Sequence, residues 1–298
     1  MPTNEQRRET AKRKLERQLE RRAQQAKRRR ILLISLGIVV AVAVAGAVVA
    51  VMIRDKDEHK SNTASSTTAN SAATSTATTE PQTPSAAPLP PFKPSANLGA
   101  NCQYPATQAK PAKPVKPPRS GKIPTDPAQV SVSMTTNQGN IGVLLANNES
   151  PCTVNSFSSL VGQGYFNNTK CHRLTTSQDL GVLQCGDPKG DGSGGDPGYT
   201  FADEYPTDQY PPNDPKLRQP MVYPRGTLAM ANAGPSTNGS EFFMVYRDSQ
   251  LAPNYTVFGK IQDDGLATLD KIAKGGVEGG GEDGTPATEV MIKSVLLD

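Results

Sequence analysis

Hydrophobic and polar residues alternate from Val130 to Thr136 (VSVSMTT) and again from Asn140 to Ala146 (NIGVLLA). That period of two puts successive side chains on opposite faces of a strand. The polar turn at Asn137 to Gly139 joins the two runs as a hairpin. The period then lengthens: Ser150 followed by Pro151 supplies an N-cap and a first-turn proline, with Phe157, Leu160 and Val161 at helical spacing behind them. Short apolar runs near Lys170 to Leu174, Val182 to Gly186, Thr227 to Asn232, Phe242 to Tyr246 and Thr256 to Ile261 predict further strands. A second helix is expected over Leu266 to Ala273, and EVMIKSVLL ends the sequence as a strand. Many short strands with two helices suggest a mainly β fold, a closed antiparallel barrel with helices over its ends.

A different pattern occupies Ile31 to Ile53, ILLISLGIVVAVAVAGAVVAVMI, which runs 23 residues without a charge. At about 1.5 Å per residue such a helix spans a hydrocarbon core of about 30 Å, so a transmembrane helix is expected. Ahead of it, Met1 to Arg30 carries 12 Lys and Arg against 4 Glu. That excess outweighs the mixed RDKDEHK behind the span. The positive-inside rule then puts the N-terminus in the cytoplasm and everything after Arg54 outside. A cleaved signal peptide is the competing reading; against it stand the long basic segment and an apolar run beyond the usual ~7 to 15 residues. The basic segment reads as a helix with a thin apolar stripe at Ala11, Leu15, Leu19, Ala23 and Ala26. Its charge fits anionic lipid head groups, and topology alone requires it, so no nucleic-acid partner is expected.

Composition adds boundaries. The chain of 298 residues is 35% hydrophobic and 5% aromatic, with 26 Gly and 26 Pro, too poor in apolar residues for one wholly globular body. The overall excess of 32 basic over 28 acidic residues is local: subtracting the 12 and 4 of the first thirty leaves 20 against 24. From residue 54 to 122 the sequence is rich in Ser, Thr and Ala and then in Pro and Lys (KPAKPVKPPRSGK), which reads as a disordered linker. Residues 123–298 are long enough to bury one core. All four cysteines, Cys102, Cys152, Cys171 and Cys185, lie beyond the expected span. Oxidation is permitted there, and an even number favours disulfides over free buried thiols; three connectivities are open. No CxxC or His/Cys cluster points to a metal. No cofactor is expected either, since GDGSGG at Gly190 to Gly195 lacks the Lys-Ser/Thr ending of a phosphate loop and reads as a flexible loop.

The segment Gly226 to Met244, GTLAMANAGPSTNGSEFFM, sets two apolar runs around a polar loop with Asn232, Ala233, Gly234, Asn238 and Gly239, followed by Phe242 and Phe243. Upstream, CHRL at Cys171 to Leu174 supplies a cation and VLQCGDP at Val182 to Pro188 an amide. Together these segments resemble the cyclophilin family of peptidyl-prolyl cis/trans isomerases, over about the last 170 residues. The resemblance implies an eight-stranded barrel capped by two helices and a groove for X-Pro bonds. Arg173 matches the arginine of the family's Phe-His-Arg motif, and Gln184 the glutamine before its Gly-Gly-Asp. By the same resemblance Phe243 forms the floor of a proline pocket with Val182, Leu251 and Tyr255. Asn232 binds the residue before proline, Ala231 and Ala233 line a neighbouring subsite, and Glu241 takes the place of a substrate-binding glutamine. In the family's fold the strands carrying Cys171 and Cys185 are neighbours, which pairs those two and leaves Cys102 for Cys152.

Taken singly, an Arg on a strand serves an ion pair and a Phe pair fills a core. The four residues Arg173, Gln184, Asn232 and Phe243 in the family's order favour a site. His172 reads as structural, because the reaction transfers no proton. Departures from the family pattern sit at the pocket: TTSQDLG replaces a Pro-Gly-Phe turn, so that the aromatic wall is either missing or supplied by Leu180, and an often aromatic position is Gln250. Tight binding of cyclosporin is therefore not expected. DPKGDGSGGDPGYTFADEYP resembles bacterial members, and the anchor with its Thr/Ala/Pro-rich linker looks actinobacterial. The expected protein is a membrane-tethered isomerase acting on exported Pro-containing polypeptides. A binding module or chaperone that captures Pro-peptides without turning them over is the alternative, and a structural envelope protein would show repeats that are absent.

Overall fold

The computed structural model describes residues 86–108, 110–193 and 197–298. The expected basic tail, transmembrane helix and first part of the linker lie outside them. Among the described residues no helix is long and apolar enough to cross a membrane.

Among the described residues, thirteen strands and two α-helices follow one another as β1 (Ala87–Pro88), β2 (Gln129–Thr136), β3 (Asn140–Ala146), α1 (Pro151–Gly162), β4 (Thr169–Lys170), β5 (Arg173–Thr175), β6 (Gly181–Cys185), β7 (Met221–Tyr223), β8 (Thr227–Met230), β9 (Phe242–Arg247), β10 (Ser249–Leu251), β11 (Val257–Ile261), α2 (Asp263–Gly275), β12 (Asp283–Gly284) and β13 (Met291–Leu297). The predicted hairpin is β2–β3, in register from Gln129 opposite Ala146 to Thr135 opposite Asn140. Its alternation is real: Val132, Met134, Ile141, Val143 and Leu145 are all buried.

The expected eight-stranded closed barrel is corrected to a strongly curled ten-stranded sheet, in the order β12-β5-β6-β9-β8-β11-β3-β2-β13-β4. Its end strands β12 and β4 have two residues each and share no ladder among the described residues. The chain itself closes the gap, since only Cys171 and His172 separate β4 at one end of the order from β5 near the other. The Cys171–Cys185 disulfide pins that crossing to β6. Three further strands form a second sheet in the order β1-β7-β10. Helix α1 packs on β13 and β3, and α2 on β3 and β9.

Why β8 and β9 read as unbroken apolar runs is now clear. Phe242, Met244 and Tyr246 belong to the main core, whereas Phe243 and Val245 belong to a second cluster with Val182, Tyr223 and Ala229. Both faces of β9 are covered, so the period of two is present but both phases are apolar.

Ser150 does not cap α1 with its side chain. Its hydroxyl donates to the Val257 carbonyl at 2.7 Å. The open N–H groups of α1 are instead taken by the buried carboxylate of Glu204, which accepts from Cys152 N at 3.0 Å and from Thr153 N and Oγ1 at 2.7 and 2.6 Å. Tertiary packing thus supplied a stronger acceptor than the local serine.

The stretch 86–122, expected as linker, is laid along the β fold. Ala87 and Pro88 run parallel to Met221 and Val222. Cys102 exchanges backbone hydrogen bonds with Gly121 and is bonded to Cys152. Cys102 and Tyr104 are buried in the main core, and Val115 packs against it. Composition hid this because its few large apolar side chains, Leu89, Phe92, Leu98, Tyr104 and Val115, follow neither a strand nor a helix period.

Candidate active site

Strand register builds the site. Arg173 of β5 lies opposite Gln184 of β6, Gln184 opposite Phe243 of β9, and Phe243 opposite Ala229 of β8. Residues opposite one another in a ladder share a face of the sheet. These residues therefore form one row across four strands, on the face turned away from the main core. Gly186, just beyond the row, has φ of +93°, and a Cβ there would meet the Ser240 carbonyl at 2.3 Å. Only glycine lets the end of β6 come so close to the segment carrying Glu241.

Polar atoms in the row are linked end to end. The Asp283 carboxylate receives Arg173 Nε and Nη2, each at 2.7 Å. Arg173 Nη1 donates to Gln184 Oε1 at 3.2 Å, and Gln184 Nε2 donates to Glu241 Oε2 at 2.6 Å. His172 Nε2 stands 3.5 Å from the same Glu241 oxygen, while its buried Nδ1 has no hydrogen-bond partner among the described residues. The fork contact with Asp283 raises the Arg173 pKa further and lowers that of Asp283, so both stay charged. Asp283 carried no signal in the sequence, being one acid in a Gly-rich tail.

Beside the row lies a cavity of about 160 Å³. Phe243 is 5% exposed in it, its ring 5.6 Å from that of Tyr255 and 6.4 Å from that of Tyr223. Val182, Leu180, Leu251 and Ala231 complete the apolar lining, and Arg173, Gln184 and Asn232 stand at its edge. Leu180 occupies the wall for which the sequence offered no aromatic, and Gln250 is not among the lining residues. Gln250 is exposed and donates to Asp179.

A second, larger cavity of about 440 Å³ shares Gln184, Ala231 and Asn232 with the first and adds Ala233, Glu241, Tyr199 and Thr200. The Asn232 side chain is used internally, donating to the Asn254 carbonyl at 2.7 Å and accepting from Gly234 N at 3.2 Å. Buried Asn238 holds the base of this loop by donating to Phe201 O and to Asp203 Oδ1. Arg173, Gln184, Phe243, Val182, Leu251, Tyr255, Asn232, Ala231, Ala233 and Glu241 thus each line one of two adjoining cavities. Tyr223 was missed. Fully buried, its hydroxyl donates to the Tyr255 carbonyl at 3.0 Å and accepts from Tyr255 N at 3.3 Å.

Both disulfides pair as the resemblance implied, Cys171 with Cys185 and Cys102 with Cys152. The first joins the residue before His172 and Arg173 to the residue after Gln184, so it ties the two strands that present the polar row. The loop after β6 is organised by Asp187, which accepts from the backbone of Lys189, Asp191 and Gly192.

Comparison with known proteins agrees with this geometry. Residues 131–296 match the family described as cyclophilin type peptidyl-prolyl cis-trans isomerase. Over all 298 residues the chain is 74% identical to the "Probable peptidyl-prolyl cis-trans isomerase B" of Mycobacterium leprae, with the whole of both chains covered. It is 78% identical over 214 residues to the protein of the same description from Mycobacterium tuberculosis, covering 72% of this chain and 69% of that one. A crystal structure of a Cryptosporidium parvum cyclophilin-type isomerase aligns with 57% of this chain and 98% of its own at 31% identity, with a TM-score of 0.45. With a row of Arg, Gln and Phe beside an apolar cavity and a family match over residues 131–296, the chain belongs to the cyclophilin-type peptidyl-prolyl cis-trans isomerases, enzymes that act on proline-containing polypeptides.

Proposed function

We propose that catalysis is non-covalent, with Arg173 donating a hydrogen bond to the proline imide nitrogen as the bond twists. Rotation about an X-Pro bond must break amide resonance over a barrier of about 18–20 kcal/mol, and the nitrogen lone pair localises on the way. A donor aimed at that lone pair is worth more in the twisted state than in either planar one, which is what lowers a barrier. A 10⁵-fold acceleration needs about 7 kcal/mol. No proton leaves the substrate, and no nucleophile is required.

The observation that carries this reading is the Arg173–Gln184–Phe243 row along the smaller cavity. A guanidinium has five N–H donors. Three are bonded to Asp283 and Gln184, which leaves two for a substrate. Phe243, Val182, Leu180, Leu251 and Tyr255 receive the pyrrolidine ring. Gln184 binds the substrate backbone, and Asn232 contacts the residue before proline through its main chain, its amide being already used. Glu241 fixes the Gln184 amide so that its oxygen faces Arg173. Ala231 and Ala233 line the neighbouring subsite.

The reaction takes place outside the cytoplasmic membrane on exported polypeptides. Support comes from the uncharged run at residues 31–53, the basic cluster before it, and two disulfides, which persist in oxidising compartments. The basic tail meets anionic lipid, and the non-aromatic Gln250 disfavours cyclosporin.

Arg173→Ala tests the mechanism in a Pro-peptide isomerisation assay. The expected loss in kcat/KM is about 10²- to 10³-fold, with peptide affinity little changed. Equal rates for the variant and wild type would remove Arg173 from the mechanism. A wild type no faster than buffer would leave the Pro-peptide-binding alternative.

A further inference from the structure

Residues 87–93 approach the proline cavity from behind. Strand β1 pairs with β7, and β7 pairs with β10, with Ala87 opposite Met221 and Met221 opposite Leu251. Leu251 lines the cavity. The chain here therefore reaches the cavity wall through a single intervening strand. Past β1, half-buried Leu89 packs against the cluster of Val182, Tyr223, Ala229, Phe243 and Val245, of which Val182 and Phe243 line the cavity. Downstream, the Pro90 carbonyl accepts from the Tyr205 hydroxyl at 2.7 Å, Phe92 meets the Tyr205 ring edge-on at 5.6 Å, and Lys93 N donates to Gln209 Oε1 at 2.9 Å.

The contacts of the N-terminal stretch divide cleanly. Cys102, Tyr104, Val115 and Ile123 pack into the main core, on the other side of the large sheet. Among the described residues before Ile123, Leu89 is the one that joins the cavity cluster. Its neighbours in that cluster control the pocket from below: Tyr223 holds both backbone groups of Tyr255, and the Tyr255 ring edge meets Phe243. A side chain that presses on this cluster sets where the floor and the Leu251–Tyr255 wall stand.

We propose that Leu89, carried on the β1 segment, is a positioning residue of the proline pocket, which this chain completes with sequence from outside the family-matched stretch of residues 131–296. The inference rests on the reading of the smaller cavity as the proline site. It implies that residues 123–298 alone form a looser pocket than the whole chain, with weaker hold on proline rather than slower rotation once it is bound. The reason is that Leu89 packs against the apolar cluster under the cavity, whereas Arg173 belongs to the polar row at its edge.

The experiment uses the full chain and a short Ala-Ala-Pro-Phe peptide as probe. KM and kcat for its isomerisation are measured for wild type, Leu89→Ala, Leu89→Met and Arg173→Ala, with thermal unfolding in parallel. Leu89→Ala is expected to raise KM about 3- to 10-fold with kcat within twofold, and Leu89→Met, close in volume, to restore KM. A role confined to stability would lower the unfolding temperature of Leu89→Ala and leave KM as in wild type, which overturns the proposal. If Leu89→Ala does not fold, Leu89→Val carries the same test at smaller amplitude, a rise in KM supporting the proposal and an unchanged KM overturning it. An Arg173→Ala variant as fast as wild type would instead count against the reading of the site, so the two failures are told apart.

Discussion

In the proposed mechanism the side chain of Arg173 is at once a surface ion pair with Asp283 and the donor to the twisting imide. Its side chain is 39% exposed and that of Asp283 55%, so the pair contributes little to stability in water. What Asp283 supplies is direction: two bonds fix the guanidinium plane, and the third, to Gln184, sets its rotation toward the cavity. Replacing Asp283 with Asn keeps the size but holds only one N–H of the fork. The expected outcome is a fall in kcat of about tenfold, with unfolding temperature and KM near wild type. A kcat unchanged in Asp283→Asn would show that the arginine needs no such partner. At this scale the sequence was informative where chemistry demands a residue type beside a motif, as at Arg173, Gln184 and Phe243. It was silent on Asp283, which approaches through β12 from more than a hundred residues away.

Elements show how local signals were read correctly and still overruled. Ser150 and Pro151 marked the start of α1, yet the acceptor for its first N–H groups is Glu204, distant in sequence and 8% exposed. Burial pushes the Glu204 carboxyl up to about 7 from an ordinary 4.5, although hydrogen bonds from Thr153 and Cys152 work in the other direction. A folded-state pKa raised above its unfolded value means the folded protein holds the proton more tightly. The contribution of this group to stability is therefore complete below about pH 4.5 and declines as pH rises to about 7. Glu204→Gln removes that titration. The gap in unfolding free energy between wild type and Glu204→Gln should shift by roughly 3 kcal/mol between pH 4.5 and 7, in favour of the variant at the higher pH; parallel pH profiles in urea titrations would contradict it. Strand β9 gives the same lesson with a different cause. Its apolar run was visible, but its division between a core and a pocket was not, because both faces are covered.

For the whole molecule, the proposed anchor makes a directional prediction. In cells expressing the full chain, a membrane-impermeant amine label added outside should modify lysines of residues 123–298 and spare those of the first thirty. The reverse pattern would invert the topology. The fold itself was legible in outline from the period of two in the hairpin, the spacing in both helices and the short strands between turns, since those patterns reflect which face each side chain must bury. The chain order of Arg173, Gln184, Asn232 and Phe243 likewise picked out residues that the fold gathers around two adjoining cavities. Closure of the sheet by chain and disulfide, rather than by an eight-stranded ladder, depended on how far the sheet curls, which no local pattern encodes. The fate of residues 86–122 was decided in the same way. Their Pro-rich composition cannot bury enough apolar surface alone and so reads as linker. In the folded protein a few of its side chains join apolar clusters, a disulfide and a strand edge supplied by distant elements. Which residues prefer a strand, a helix or a turn is a property of the sequence, because it depends on neighbours a few positions away. Which surfaces those elements leave for distant segments to fill is a property of the assembled tertiary structure, because only folding brings the partners within reach.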